Sequence, residues 1–154
     1  MPSPPFASNP TCMRHVYRND SAELARLAAD LETFAEQNQL GVEMAHAFNL
    51  CLDELFTNIV SYGYRDQGPH EIILELIATP TEVSAVLRDD ARAFDPLTEA
   101  PPPDLAAPIE ERRIGGLGVH FVKQLMTRVS YRREGACNVL ELVKARGANP
   151  GSLP

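Results

Sequence analysis

From about Val42 to about Tyr62 the apolar residues Met44, Phe48, Cys51, Leu52, Leu55, Ile59 and Tyr62 recur at helical spacing. This predicts a long amphipathic helix with Glu54 and Asn58 on its opposite flank and Gly63 near its stop. Before it, Met13 to Arg18 reads as a strand, and Leu24, Leu27, Leu31 and Phe34 predict a first helix running to Gly41 behind a capping box of Asp20 and Glu23. After it, His70 to Ala78 and Glu82 to Arg88 are β-rich runs separated by Thr79-Pro80-Thr81, a hairpin. Val119, Phe121, Val122, Leu125 and Met126 predict a third helix, followed by a closing hairpin of Arg128 to Arg133 and Asn138 to Lys144 that turns near Gly135. The segment from Pro96 to Arg113 holds Pro101, Pro102, Pro103 and Pro108 with little periodicity, so it is expected to be a surface loop acting as a lid or disordered. The order βα-α-ββ-α-ββ indicates an α+β fold, a two-layer sandwich with a mixed, mainly antiparallel sheet and three helices on one face.

Composition narrows the class without naming a function. With 154 residues, 44% of them hydrophobic, the chain suits one domain, expected over 13–145, between flexible tails at 1–12 and 146–154. A net charge of −7 argues against direct nucleic-acid binding, which needs a basic surface to neutralise phosphates. Cys12, Cys51 and Cys137 are widely spaced and include no CxxC pair, which fits a reducing compartment better than a disulfide framework or a zinc site. The start of the chain does not read as a leader, and its apolar runs fall short of the ~18 residues of a membrane span. A soluble, cytoplasmic protein with no membrane contact is expected. No internal repeat is visible.

Three blocks carry candidate chemistry. Glu54 and Asn58 lie four residues apart, so on a helix they stack on one face. There they are either polar residues on a solvated flank or a general base and an amide oxygen for Mg²⁺, a hard cation that takes few protein ligands when phosphates supply the rest. Asp89 follows the apolar run Val83 to Leu87, at the mouth of the sheet, and is either part of an acidic turn or an acceptor for the exocyclic amine of adenine. The small Ala91 and Ala93 would admit a flat base, and Phe94 is a core anchor or a base contact. Gly115, Gly116 and Gly118, with Leu117 among them, open a helix: a flexible hinge, or an anion site built from free N–H groups and the helix dipole. Their spacing is neither a P-loop nor a dinucleotide fingerprint. Arg112 and Arg113 are plain surface charge or donors to a γ-phosphate. The four histidines lack metal-ligand spacing, and Ser84 and Ser130 lack a nucleophile-elbow context.

In this order the blocks resemble the N box, G1 box and G2 box of the GHKL ATPase superfamily and its Bergerat fold. Asp-Glu-Leu-Phe-Thr-Asn-Ile-Val-Ser-Tyr-Gly-Tyr (53–64), Asp-Asp-Ala-Arg-Ala-Phe-Asp-Pro (89–96) and Gly-Gly-Leu-Gly-Val-His-Phe-Val-Lys-Gln-Leu-Met (115–126) look like the anti-sigma factor serine-protein kinases of the RsbW type. Val129 to Gly135, with Asn138 and Leu140 after it, also fits, so the resemblance covers about residues 14 to 144. It implies ATP and Mg²⁺ as cofactors, Glu54 as catalytic base, Asn58 as the metal ligand, Asp89 on the adenine amine, and Gly116 and Gly118 along the phosphates under a lid from about Asp95 to Ile114. It further implies a homodimer that sequesters a sigma factor and phosphorylates a serine of a STAS-type anti-anti-sigma partner. Two positions depart from the pattern. Ala91 stands where glycine is common, so its methyl is expected to face the base and weaken ATP binding, and Tyr62 stands where a histidine is frequent. The alternative is a non-catalytic module of the same fold that acts by sequestration alone. The ATPase half of a histidine kinase is a third reading, opposed by the lack of a phosphoacceptor helix.

Overall fold

Glu71, Ile73, Glu75 and Ile77 alternate with Ile72, Leu74, Leu76 and Ala78, and only the second set is buried. That alternation, one face to the core and one outward, organises the whole sheet in the computed structural model, which describes residues 10–99 and 116–147. The strands are β1 (Thr11–Arg18), β2 (Glu71–Ala78), β3 (Glu82–Asp89), β4 (Arg128–Glu134) and β5 (Cys137–Ala145), in the spatial order β1-β2-β3-β5-β4.

Every neighbouring pair in this sheet is antiparallel, in line with the mainly antiparallel sheet expected from the element order and without the parallel pair that a mixed sheet would add. The connections explain it. Between β1 and β2 the chain makes two helices, α1 (Leu24–Gln37) and α2 (Val42–Tyr62), so it returns to the sheet reversed. β4 runs in the direction of β3, yet β5 folds back between them and pairs with both.

Local chemistry sets the element ends. β1 starts two residues inside the expected N-terminal tail, because Thr11 and Cys12 pair with Ala78 and Ile77. Asp20 caps a 3₁₀ turn, Ser21–Glu23, by accepting from the Ala22 N–H at 2.9 Å. Glu23 reaches past the expected capping-box partner to the N–H of Arg18 at 3.2 Å. α1 stops at Gln37, short of Gly41, where Gln39 and Gly41 take φ of +53° and +80° and turn the chain into α2. In the expected C-terminal tail, Arg146 is tied down, its N–H donating to Thr81 at 2.9 Å and its guanidinium to the Asn38 carbonyl at 3.2 Å. Within the expected loop a short helix, α3 (Pro96–Glu99), forms behind Asp95, whose carboxylate caps Leu97 and Thr98. α4 (Gly116–Leu125) begins earlier than the apolar spacing predicts, at the glycines themselves.

One apolar core lies between the helices and the inward face of the sheet, with Phe34, Phe48, Phe56, Leu52, Leu74 and Leu76 fully buried in it. Each such side chain contributes about 1.5–3 kcal/mol. Tyr17 joins them by hydrogen-bonding its hydroxyl to Asp30 at 2.7 Å. α2 packs against both α1 and α4.

Candidate functional site

Met44, Phe48, Cys51, Leu52 and Leu55 of α2 are buried, which leaves Glu54 and Asn58 half-buried one turn apart at the margin of this face. Gly63 caps this helix, and the turn that follows β3 docks on it. Arg92 donates its N–H to the Gly63 carbonyl at 3.1 Å. A Cβ placed on Gly63 would come within 2.6 Å of the Ile59 carbonyl oxygen and 2.8 Å of the Ala91 Cβ, so the close approach of turn and helix needs a glycine. Ala91 is buried in this contact, with its methyl against Gly63.

Asp89 ends β3 on the same inward face as Val83, Ala85 and Leu87, and this register buries its carboxyl. Oδ1 accepts from the Ala91 N–H at 3.0 Å and from Nδ2 of Asn138 at 2.9 Å. Among the described residues no hydrogen bond reaches Oδ2. Burial pushes the Asp89 pKa above the ordinary aspartate range, against the opposing pull of the Asn138 and Ala91 hydrogen bonds. Ala93 is exposed, and Phe94 is half-buried beneath the Arg92 guanidinium, 5.9 Å from its ring centroid.

Asn138 and Arg133 organise the turn although the motifs assign neither a role. Nη1 of Arg133 donates to the Ala91 carbonyl at 2.9 Å and to Oδ1 of Asn138 at 3.0 Å. The signal available in the sequence was a polar residue on an inward strand position, since Asn138 shares its face with Leu140 and Leu142. On the other side of the turn His70 bridges Asp66 at 2.8 Å and Asp90 at 3.2 Å and stacks on Tyr64, so the segment after α2 is clamped beside Asp89. Tyr62 is exposed.

The backbone of Gly116, Leu117 and Gly118 forms the first turn of α4, so free N–H groups are available there. Arg112, Arg113, Gly115 and most of the expected lid lie outside the described residues. A phosphate-carried Mg²⁺ asks for only one or two protein oxygens, and Asn58 supplies an amide oxygen of the hard type it prefers. No cluster of three or more His, Cys, Asp or Glu able to cage a metal occurs among the described residues. A cleft of about 590 Å³ backs onto the same turn from the outward face of the sheet, lined by Arg18, Ile73, Arg88 and Cys137 among others. It is separate from the flank of α2.

Comparison with known proteins decides the family. The model of the histidine kinase-like ATPase domain matches residues 17–144, which takes in Glu54, Asn58, Asp89 and the α4 glycines. The chain belongs to the histidine kinase-like ATPase family. The serine/threonine-protein kinase BtrW of Bordetella bronchiseptica is 34% identical over 112 residues, covering 73% of this chain and 78% of that protein. The serine-protein kinase RsbW of Listeria monocytogenes is 28% identical over 121 residues, covering 76% of each. The chain is thus a family member whose named relatives are serine/threonine-protein kinases. Among solved structures, a blue-light activated histidine kinase of Erythrobacter litoralis superposes with a TM-score of 0.54 at 16% identity over 82% of this chain, which supports the fold alone. The chain spans about two-fifths of that protein's length, 41%. No helix among the described residues is long and apolar enough to cross a membrane.

Proposed function

We propose that this protein is a cytoplasmic anti-sigma factor kinase that binds Mg-ATP, sequesters a sigma factor and phosphorylates a serine of a STAS-type anti-anti-sigma partner, working as a homodimer. One observation carries the reading: a buried carboxyl, Asp89, held by one oxygen at a turn that docks directly on the helix bearing Glu54 and Asn58. Along α2, Asn58 stands five residues before Gly63 and Glu54 nine, about 7 Å and about 13 Å up the axis. An extended nucleoside triphosphate spans such a length, with its base at Asp89 and its terminal phosphate toward Glu54.

In this reading Asp89 accepts the adenine amine through Oδ2, and Asn58 would hold Mg²⁺ by its amide oxygen. The first-turn N–H groups of α4 receive phosphate oxygens, with Arg112 and Arg113 as additional donors. Glu54 takes the proton of the attacking serine hydroxyl. Mg²⁺, when bound, neutralises charge building on the transferred phosphoryl group. A weakened nucleotide site caused by the Ala91 methyl would favour the sequestration-only alternative, and that methyl lies against Gly63.

Asn58→Ala tests the reading at the nucleotide. It should abolish the magnesium-dependent part of ATP affinity and spare ADP binding measured without metal, because only the metal-bridged contact is removed. Equal losses with and without Mg²⁺ in calorimetry would make Asn58 a structural residue.

A further inference from the structure

Two polar or charged residues among those described are buried, Asp89 and Asn138, and they are register partners across β3 and β5. A buried polar pair is costly unless its hydrogen bonds are complete. Here the amide is saturated. Nδ2 of Asn138 donates to Oδ1 of Asp89 at 2.9 Å and to the carbonyls of Arg92 at 2.9 Å and Ala91 at 3.4 Å. Its Oδ1 accepts from the Tyr131 hydroxyl at 2.5 Å, from Nη1 of Arg133 at 3.0 Å and from the Phe94 N–H at 3.3 Å. A flipped amide would set its oxygen against a carboxylate and two carbonyls and its nitrogen against three donors, so the network admits one orientation.

We propose that Asn138 is a positioning and specificity residue: by occupying Oδ1 of Asp89 it fixes Oδ2 as the acceptor offered to the nucleotide base, and so selects an exocyclic amine over an exocyclic carbonyl. The inference rests on Asp89 as the base-reading residue. An ionised carboxylate can only accept, which suits the amine of adenine, whereas a protonated one can donate and would admit the carbonyl of hypoxanthine. The Asn138 hydrogen bond favours the ionised form. The other groups acting on this carboxyl are Asp90 beside it, Tyr64 after α2, Arg133 from β4, and His70 through its contact with Asp90.

The test is equilibrium titration of the whole protein with ATP and with ITP between pH 5 and pH 8, for the wild type, Asn138→Ala, Asp89→Asn and the double variant. The expected result is a wild-type preference for ATP that Asn138→Ala reduces by about tenfold, the scale of one hydrogen bond to a charged group. The acid limb of ATP binding should also move to higher pH, and the alanine change should add little in the Asp89→Asn background. Equal weakening of ATP and ITP with an unmoved acid limb would overturn the inference and leave the Asp89 assignment standing. A wild type that does not distinguish ATP from ITP would overturn that assignment and the inference with it. Should Asn138→Ala fail to fold, Tyr131→Phe decides: it removes one donor to the same amide, and the preference should fall in the same direction, an unchanged preference and acid limb counting against the proposal.

Discussion

At the scale of the residue, Asp89 carries a pH signature. Its pKa is raised by burial, yet reading adenine requires the ionised form. ATP affinity should therefore hold at neutral pH and fall as pH drops through a midpoint above the usual aspartate value of about 3.9. The stability sign is opposite. A carboxyl with a raised folded pKa favours the fold while protonated, and that contribution is lost as pH rises through the folded pKa. Asp89→Asn should then flatten the pH profile of ATP binding without lowering the neutral-pH melting temperature, and calorimetry beside thermal melts checks both. A profile that keeps its acid limb in the variant would place the titrating group elsewhere. Asp89 was legible from its place after an apolar run, and Glu54 and Asn58 from their shared helix face. Asn138 is legible only as a polar residue on an inward strand position, because its importance depends on a cross-strand register with Asp89.

At the scale of the element, the contact between the end of α2 and the turn after β3 joins the two halves of the site. Gly63→Ala should lower stability by about 1–3 kcal/mol in urea unfolding, the usual cost of an extra methyl in a tight contact. Pairing it with Ala91→Gly should recover only part of the loss, since the clash with the Ile59 carbonyl remains. Full recovery would mean that the two Cβ atoms are the whole conflict. Beside this contact, hydrogen bonds to Asp66 and Asp90 raise the pKa of His70. Stability from a group raised in this way is fully present below its unfolded pKa of about 6.5 and lost as pH rises through the folded value. The melting temperature of wild type relative to His70→Gln should thus be higher at pH 6 than at pH 8.5, and a pH-independent difference would refute the clamp. The bounds of α2 could be read from apolar spacing and a terminal glycine. The start of β1, the stop of α1 and the anchoring of Arg146 could not, because they are set by pairing and contacts from distant parts of the chain.

At the scale of the whole molecule, the helices cover one face of the sheet and charged side chains roof part of the other. Glu134 bridges Arg88 and Arg132, and Arg128 reaches Glu82, while Val139 and Val143 between them are buried. The antiparallel sheet escaped the sequence reading in one respect, since apolar alternation gives each strand a face but not the order in which strands pair. Pattern alone reached an α+β domain with a plausible nucleotide site; the kinase reading came from motif order, and the family match supports it at that level. In the proposed mechanism Glu54 is the general base that takes the proton of the attacking serine hydroxyl. The most direct measurement incubates wild type and Glu54→Gln with Mg-ATP and the STAS proteins of the same genome, following phosphoserine by mass spectrometry and the lifetime of the kinase complex. Wild type should phosphorylate one serine, and Glu54→Gln should bind nucleotide normally, lose transfer by about a hundredfold or more and hold the unmodified partner longer. Undiminished phosphoserine with Glu54→Gln, or none with wild type on any such partner, would contradict it.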